Sequence, residues 1–371
     1  MSHPSRKKLL TINVERDLVK AGVWPLRLLQ IAAYLPYQIC KDGSLNTKSN
    51  CQPLLLWSLI CLIFSFWSVI IYYGNKDKFD LNRSSVELAT DSTVQRTVSV
   101  AFIFFNKYVI IFPFIHRKRI AQFWSNLIAA VGSVVEDFPP GRTAFLEHME
   151  KVQKWTRRCA FVVLFLPVAS HTVTVISATL GEINEDLLLR WQNSSLFERT
   201  KFGFASVVWI QETFFHGALA LWLSYLIHVQ AICLQLISMK LSKVAGARQH
   251  GEVRKTLMKS VKDFGQLEEL SQEFSKLYDH ILLLDFFYNG IMSTYFAYYF
   301  LNMLLEGNRI VYTFSLVSFV IVGHRLYCVS SACSSFQIAA AGVQQNLLVI
   351  RGFAALQSSE IAEQVHSTKV G

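Results

Sequence analysis

Across 371 residues the chain is 52% hydrophobic and 13% aromatic, above the roughly 45–50% apolar share of an ordinary soluble domain. Its formal charge of +10 does not indicate nucleic acid, because the basic residues are dispersed between apolar blocks rather than gathered in one aromatic-lined stripe. The cysteines suggest no disulfide framework: Cys61, Cys159, Cys233, Cys328 and Cys333 fall in or beside apolar spans, and Cys40 and Cys51 precede the first.

In chain order, residues 1–20 are polar and basic without an apolar core, so no cleavable signal peptide is expected and insertion starts at an internal span. Residues 24–39, bracketed by Pro25 and Pro36, are too short to cross a hydrocarbon core of about 30 Å and are expected to lie at the interface or dip into it. Apolar spans follow at 53–73, 98–115, 159–180, 204–237, 281–305 and 310–329. The second closes on His116, Arg117, Lys118 and Arg119, continues as an amphipathic helix over 120–135, and leads to a charged connection, 136–158, broken at Pro139, Pro140 and Gly141. The fourth span is overlong.

Residues 252–305 form a hybrid. Val253, Leu257, Val261, Phe264, Leu267, Phe274, Tyr278 and Ile281 recur at three- or four-residue intervals among charges, which predicts one apolar seam on a soluble helix. From Ile281 onward the same helix is nearly all apolar and carries one charge, Asp285. The fold class is therefore all-α: a polytopic helical membrane protein with a cytosolic amino terminus and long cytosolic helix extensions. The expected organisation is a cytosolic amino-terminal segment (1–52), spans one to four (53–237), a cytosolic connection and anchor helix (238–280), spans five and six (281–332) and a cytosolic carboxy-terminal segment (333–371).

Orientation rests on two signals. With the amino terminus inside, 27 of the 36 Lys and Arg residues fall on the cytosolic side, as the positive-inside rule expects. The two N-x-[ST] sequons, at Asn82 and Asn193, both fall in loops placed outside, which makes them the expected glycosylation sites.

Charged groups inside a span cost about 2.5–3.5 kcal/mol at its centre, and any polar group there needs a reason. Asn106, Lys107, His171, Gln211, Glu212, His216 and Asp285 are the polar or charged candidates. Counting from span ends places His171, Gln211, Glu212 and His216 in the outer half, with Tyr295 and Tyr298 among the nearby aromatics, a composition suited to a small-molecule pocket. Pairing of Glu212 with Lys107 or His216 merely to hold the bundle is the competing reading. Asp285, near the cytosolic edge, reads as structural pairing. His171, Glu212 and His216 do not form an H-E-x-x-H pattern, so no metal site is expected. No catalytic motif or cofactor signature is present, and no enzyme activity is expected.

This pattern resembles the insect chemoreceptor superfamily, gustatory receptors more closely than odorant receptors. The resemblance is carried by the basic amino-terminal tail, Leu35-Pro36-Tyr37 before the first span, the overlong fourth span, the helix through Leu267-Glu268-Glu269-Leu270 to Tyr278 feeding the fifth, the short outer turn, and Cys328 and Cys333 at the end of the sixth. It implies a ligand-gated, non-selective cation channel at the plasma membrane, homo- or hetero-tetrameric with related subunits. A small-molecule tastant or odorant would be bound by His171, Gln211, Glu212, His216, Tyr295 and Tyr298. The family's final-span signature, Thr-Tyr followed by apolar residues and Gln-Phe, is absent, so a pore-lining span is expected beyond Gly371 unless the chain is a six-span variant. An odorant receptor with a co-receptor and a polytopic transporter or membrane enzyme are the alternatives.

Overall fold

A computed structural model describes residues 14–31, 38–39, 45–46, 56–57, 59–61, 63, 66–67, 89–136, 139–179, 196–245, 250–305 and 309–357. Asn82, Asn193, the outer turn and most of the first predicted span lie outside these residues. The described helices are α1 (Val23–Ile31), α2 (Ala89–Glu136), α3 (Pro139–Thr179), α4 (Leu196–Ala245), α5 (His250–Leu305) and α6 (Arg309–Gln357). A two-residue antiparallel hairpin, β1 (Gln38–Ile39) with β2 (Leu45–Asn46), follows α1.

Each long helix merges a predicted span with its polar extension. At about 1.5 Å per residue the 56 residues of α5 reach roughly 84 Å, far beyond a hydrocarbon core of about 30 Å. The hybrid helix is therefore continuous, as its sequence predicts. The expected connection over 136–158 is instead the start of α3, which opens at Pro139. Proline in a first helical turn gives up an amide that has no intrahelical partner anyway, so Pro139 and Pro140 start this helix rather than break a loop.

Partner numbers give the helix directions. Between α4 and α5, His216 faces Asp285, Gln230 faces Ser271 and Lys240 faces Asp263. Moving from 216 to 240 on α4 takes the partner from 285 down to 263, an antiparallel register held without slip over roughly 36 Å. Likewise Phe105 meets Tyr288 and Ser133 meets Asp263, so α2 and α5 are antiparallel. By contrast Thr213 meets Arg325 and Ser238 meets Asn346, so α4 and α6 run parallel. These directions alternate as successive membrane crossings require.

At the centre stands α4, most of whose apolar stretch Thr213–Val244 is buried. Leu219, Leu221, Tyr225, Leu226, Val229 and Leu236 are among its fully enclosed side chains. α1 packs against it: Pro25, Leu26, Leu28 and Leu29 are buried, and just before α1 the Leu18 carbonyl accepts from the Tyr225 hydroxyl at 2.6 Å. Close approach needs Gly22, where an added Cβ would sit 2.7 Å from the Tyr225 ring.

On the seam of α5, Leu257, Leu267, Phe274, Tyr278 and Ile281 are buried, with Val261 and Phe264 packed at its margin. It is filled from within the chain, Phe274 and Tyr278 meeting Phe123 of α2 at ring distances of 5.8 and 6.3 Å. Asp263 ties three helices, accepting from Ser133 of α2 at 2.6 Å and from Lys240 of α4 at 3.3 Å.

Candidate functional site

The site grows out of one stretch of α4. Thr213 to Ala220 are all buried among α2, α3, α5 and α6, so any polar group there must find its partners inside the protein. His216 is 1% exposed and stacks on two rings, Phe105 at 4.8 Å and Tyr288 at 5.0 Å, while Phe105 and Tyr288 stack on each other at 5.0 Å. Its Nδ1 stands 3.9 Å from Asp285 Oδ1, and Asn289, fully buried, lies one turn along the same face of α5.

Arg325 of α6 closes this cluster. Its guanidinium donates to the Thr213 carbonyl at 2.6 Å, and it is also electrostatically coupled to Asp285. Helical carbonyls keep a second lone pair after their own backbone bond, which is the acceptor used here. Among the described residues the Nε of Arg325 and the hydroxyl of Ser318 have no hydrogen-bond partner.

Both orphan donors border a cleft of about 310 Å³ lined by Thr213, Tyr288, Met292, Phe296, Ser318, Ile321, Val322 and Arg325. A second cleft of about 210 Å³, lined by Val162, Val163, Pro167, Gly217 and His324, shares Thr213, Ile321 and Arg325 with it. Small-molecule sites combine apolar walls with a few convergent polar groups. Tyr288, Met292, Phe296, Ile321 and Val322 supply such walls, and Arg325 with Ser318 supply the polar end. The site suits a compact, largely apolar molecule carrying a hydrogen-bond acceptor.

Of the residues singled out from sequence, His216 is at the cluster's heart. Tyr295 is half-buried beside Phe296, at a ring distance of 5.4 Å, on the rim of the cleft's face. Tyr298 is 40% exposed and turned away. His171 lies on α3 and Gln211 and Glu212 on α4, but their side chains, like that of Asn106, fall outside the described residues. Lys107 is buried, with its Nζ 5.8 Å from the Phe66 ring centroid. The expected difference in depth between His216 and Asp285 does not hold, since both stand 20 residues, or about 30 Å, from the ends of α4 and α5 at Leu196 and Leu305. Arg325, Tyr288, Met292 and Phe296 went unrecognised. The last three share a stripe with Asp285 at three- and four-residue spacing, and helical phase was the signal that could have found them.

The family model described as 7tm Chemosensory receptor matches residues 26–367. The chain belongs to this chemosensory receptor family. A solved structure of the insect olfactory receptor OR5 from Machilis hrabei shares the receptor's fold, with a TM-score of 0.63 at 12% sequence identity, covering 94% of this chain and 90% of that one. No curated protein sequence matches the chain. As a member of a seven-transmembrane receptor family, the receptor is a helical membrane protein, and the family is one of receptors rather than enzymes.

Proposed function

We propose that the chain is a subunit of a ligand-gated, non-selective cation channel of gustatory type. It works at the plasma membrane as a homo- or hetero-tetramer with related receptor subunits, and it binds a small tastant in the cleft between Tyr288, Met292, Phe296 and Arg325. The observation that carries this reading is a narrow cleft whose buried arginine and serine keep donors without partners among the described residues, set inside a chemosensory receptor fold. A bound acceptor would satisfy those donors, and gating follows if the open bundle makes that contact better than the closed one. His171, Gln211 and Glu212 remain part of the proposal as candidate contacts on the neighbouring turns of α3 and α4, with His216 as the ring that backs Tyr288.

The test is current recorded from cells expressing the full-length receptor under a panel of sugars, amino acids and bitter amines. An active compound should evoke a cation current, and Met292→Trp, which fills the cleft, should raise its half-maximal concentration at least about tenfold. Leu301→Ala, on an exposed part of α5, should leave it unchanged. Current with the same sensitivity in Met292→Trp would remove the cleft as the binding site. Substrate uptake without current would point to a transporter, and current only with a second subunit to an odorant-type complex.

A further inference from the structure

Two turns of α6 and one of α3 bring together a set of side chains that the cleft does not use. Cys328 and His324 are four residues apart and share one face of α6, while Cys159 reaches them from α3. The two sulfurs are 3.9 Å apart, and Cys328 Sγ lies 3.7 Å from His324 Nε2 and 3.9 Å from its Nδ1. One ligand atom from each of the three residues falls within 4.8 Å of the others, with both cysteines buried.

The sulfur–sulfur and Cys328–His324 separations are close to those of ligands around one ion. Tetrahedral zinc bonds of about 2.3 Å to sulfur and 2.0 Å to nitrogen place neighbouring sulfurs roughly 3.8 Å apart and sulfur and nitrogen roughly 3.6 Å apart. Two thiolates and an imidazole form a soft set that selects zinc-class ions over magnesium or calcium. Charge points the same way: two thiolates around a divalent ion sum to zero, so the filled site adds no net charge to an apolar bundle, whereas thiolates alone would. The cysteines lie at the ends of the predicted spans read as cytosolic, where thiols stay reduced.

We infer that Cys159, His324 and Cys328 form a binding site for a zinc-class divalent cation that braces α3 against α6. The fourth position is left open beside His324, which lines the second cleft. Because Arg325 follows His324 directly, the brace also fixes the arginine that borders both clefts.

The experiment uses full-length receptor purified under reducing conditions, stripped with a chelator and titrated with Co²⁺. A thiolate-to-cobalt charge-transfer band should appear, saturate at about one ion per chain and vanish when Zn²⁺ is added. Cys159→Ser and Cys328→Ser should each abolish it, His324→Gln should weaken it, and Cys333→Ser, at an exposed thiol of the same helix, should leave it intact. The wild-type titration alone decides the matter if the variants fail to fold. A wild-type receptor that elutes as a folded species without a saturable band would overturn the site. So would a full-strength band in Cys159→Ser, or a Cys159–Cys328 disulfide in protein isolated without oxidant.

Discussion

Arg325 carries two relationships at once, donating to the Thr213 carbonyl at 2.6 Å and compensating the buried Asp285 charge without touching it. Removing one member of a buried charged set leaves the other uncompensated, at about 3–5 kcal/mol, while removing both is often close to neutral. Arg325→Met should therefore lower the unfolding temperature of the detergent-solubilised receptor sharply, and Arg325→Met with Asp285→Asn should recover much of the loss. Strict additivity in a double-mutant cycle would show that the two are not coupled. Arg325 falls inside the sixth predicted span, near the end read as cytosolic, where a basic residue is expected to reach the cytosol, and its acceptor is 112 residues away in the chain.

At the scale of helices, close approach of α3 and α4 depends on Gly217, where an added Cβ would stand 2.7 Å from Val163 Cγ1. Overpacking of this kind costs about 1–3 kcal/mol. Gly217→Ala should destabilise the receptor by that order, and adding Val163→Ala should restore it; a second substitution that makes matters worse would mean that the contact is not the cause. The end of the bundle read from sequence as cytosolic offers a parallel case in Asp263, which is fully enclosed and serves Ser133 and Lys240 together. Lys240→Met should reduce thermal stability, whereas Lys240→Met with Asp263→Leu should come closer to wild type. Helices were the most legible part of the sequence, since the three- and four-residue recurrence of Leu257, Phe264, Leu267, Phe274 and Tyr278 is a local property. Helix starts and pocket membership were less so. Pro139 reads equally as a loop or a first turn until its neighbours are placed. Tyr298 was chosen for its aromatic ring, yet it stands two residues beyond Phe296, about 200° around the helix, on the exposed side.

For the whole molecule, the distribution of exposed apolar side chains separates two kinds of surface. Phe161, Phe165 and Val168 on α3, Leu283, Phe286, Phe287 and Leu301 on α5, and Phe319 and Val320 on α6 are exposed within predicted spans and suit lipid. Ile338, Leu348 and Val349 of α6 are also exposed, at 69%, 64% and 42%. They lie past the predicted end of the sixth span, in a stretch from Leu316 to Ile350 of 35 residues, or about 52 Å, which outruns the bilayer. Exposed apolar groups in water call for a partner. From sequence the α5 seam suits either a subunit or an intrasubunit contact, and the second holds for Leu257, which is 3% exposed and packed inside its own chain. Leu257→Asp should therefore cost folded protein altogether, whereas Ile338→Lys with Leu348→Lys should give folded subunits that no longer assemble. Light scattering coupled to size exclusion of the solubilised receptor separates the two outcomes, because one removes the folded peak and the other moves it to lower mass. If the α6 variant unfolds instead, that face is covered from within the chain. A Leu257→Asp protein that folds but elutes as separate subunits would return the assembly role to the α5 seam.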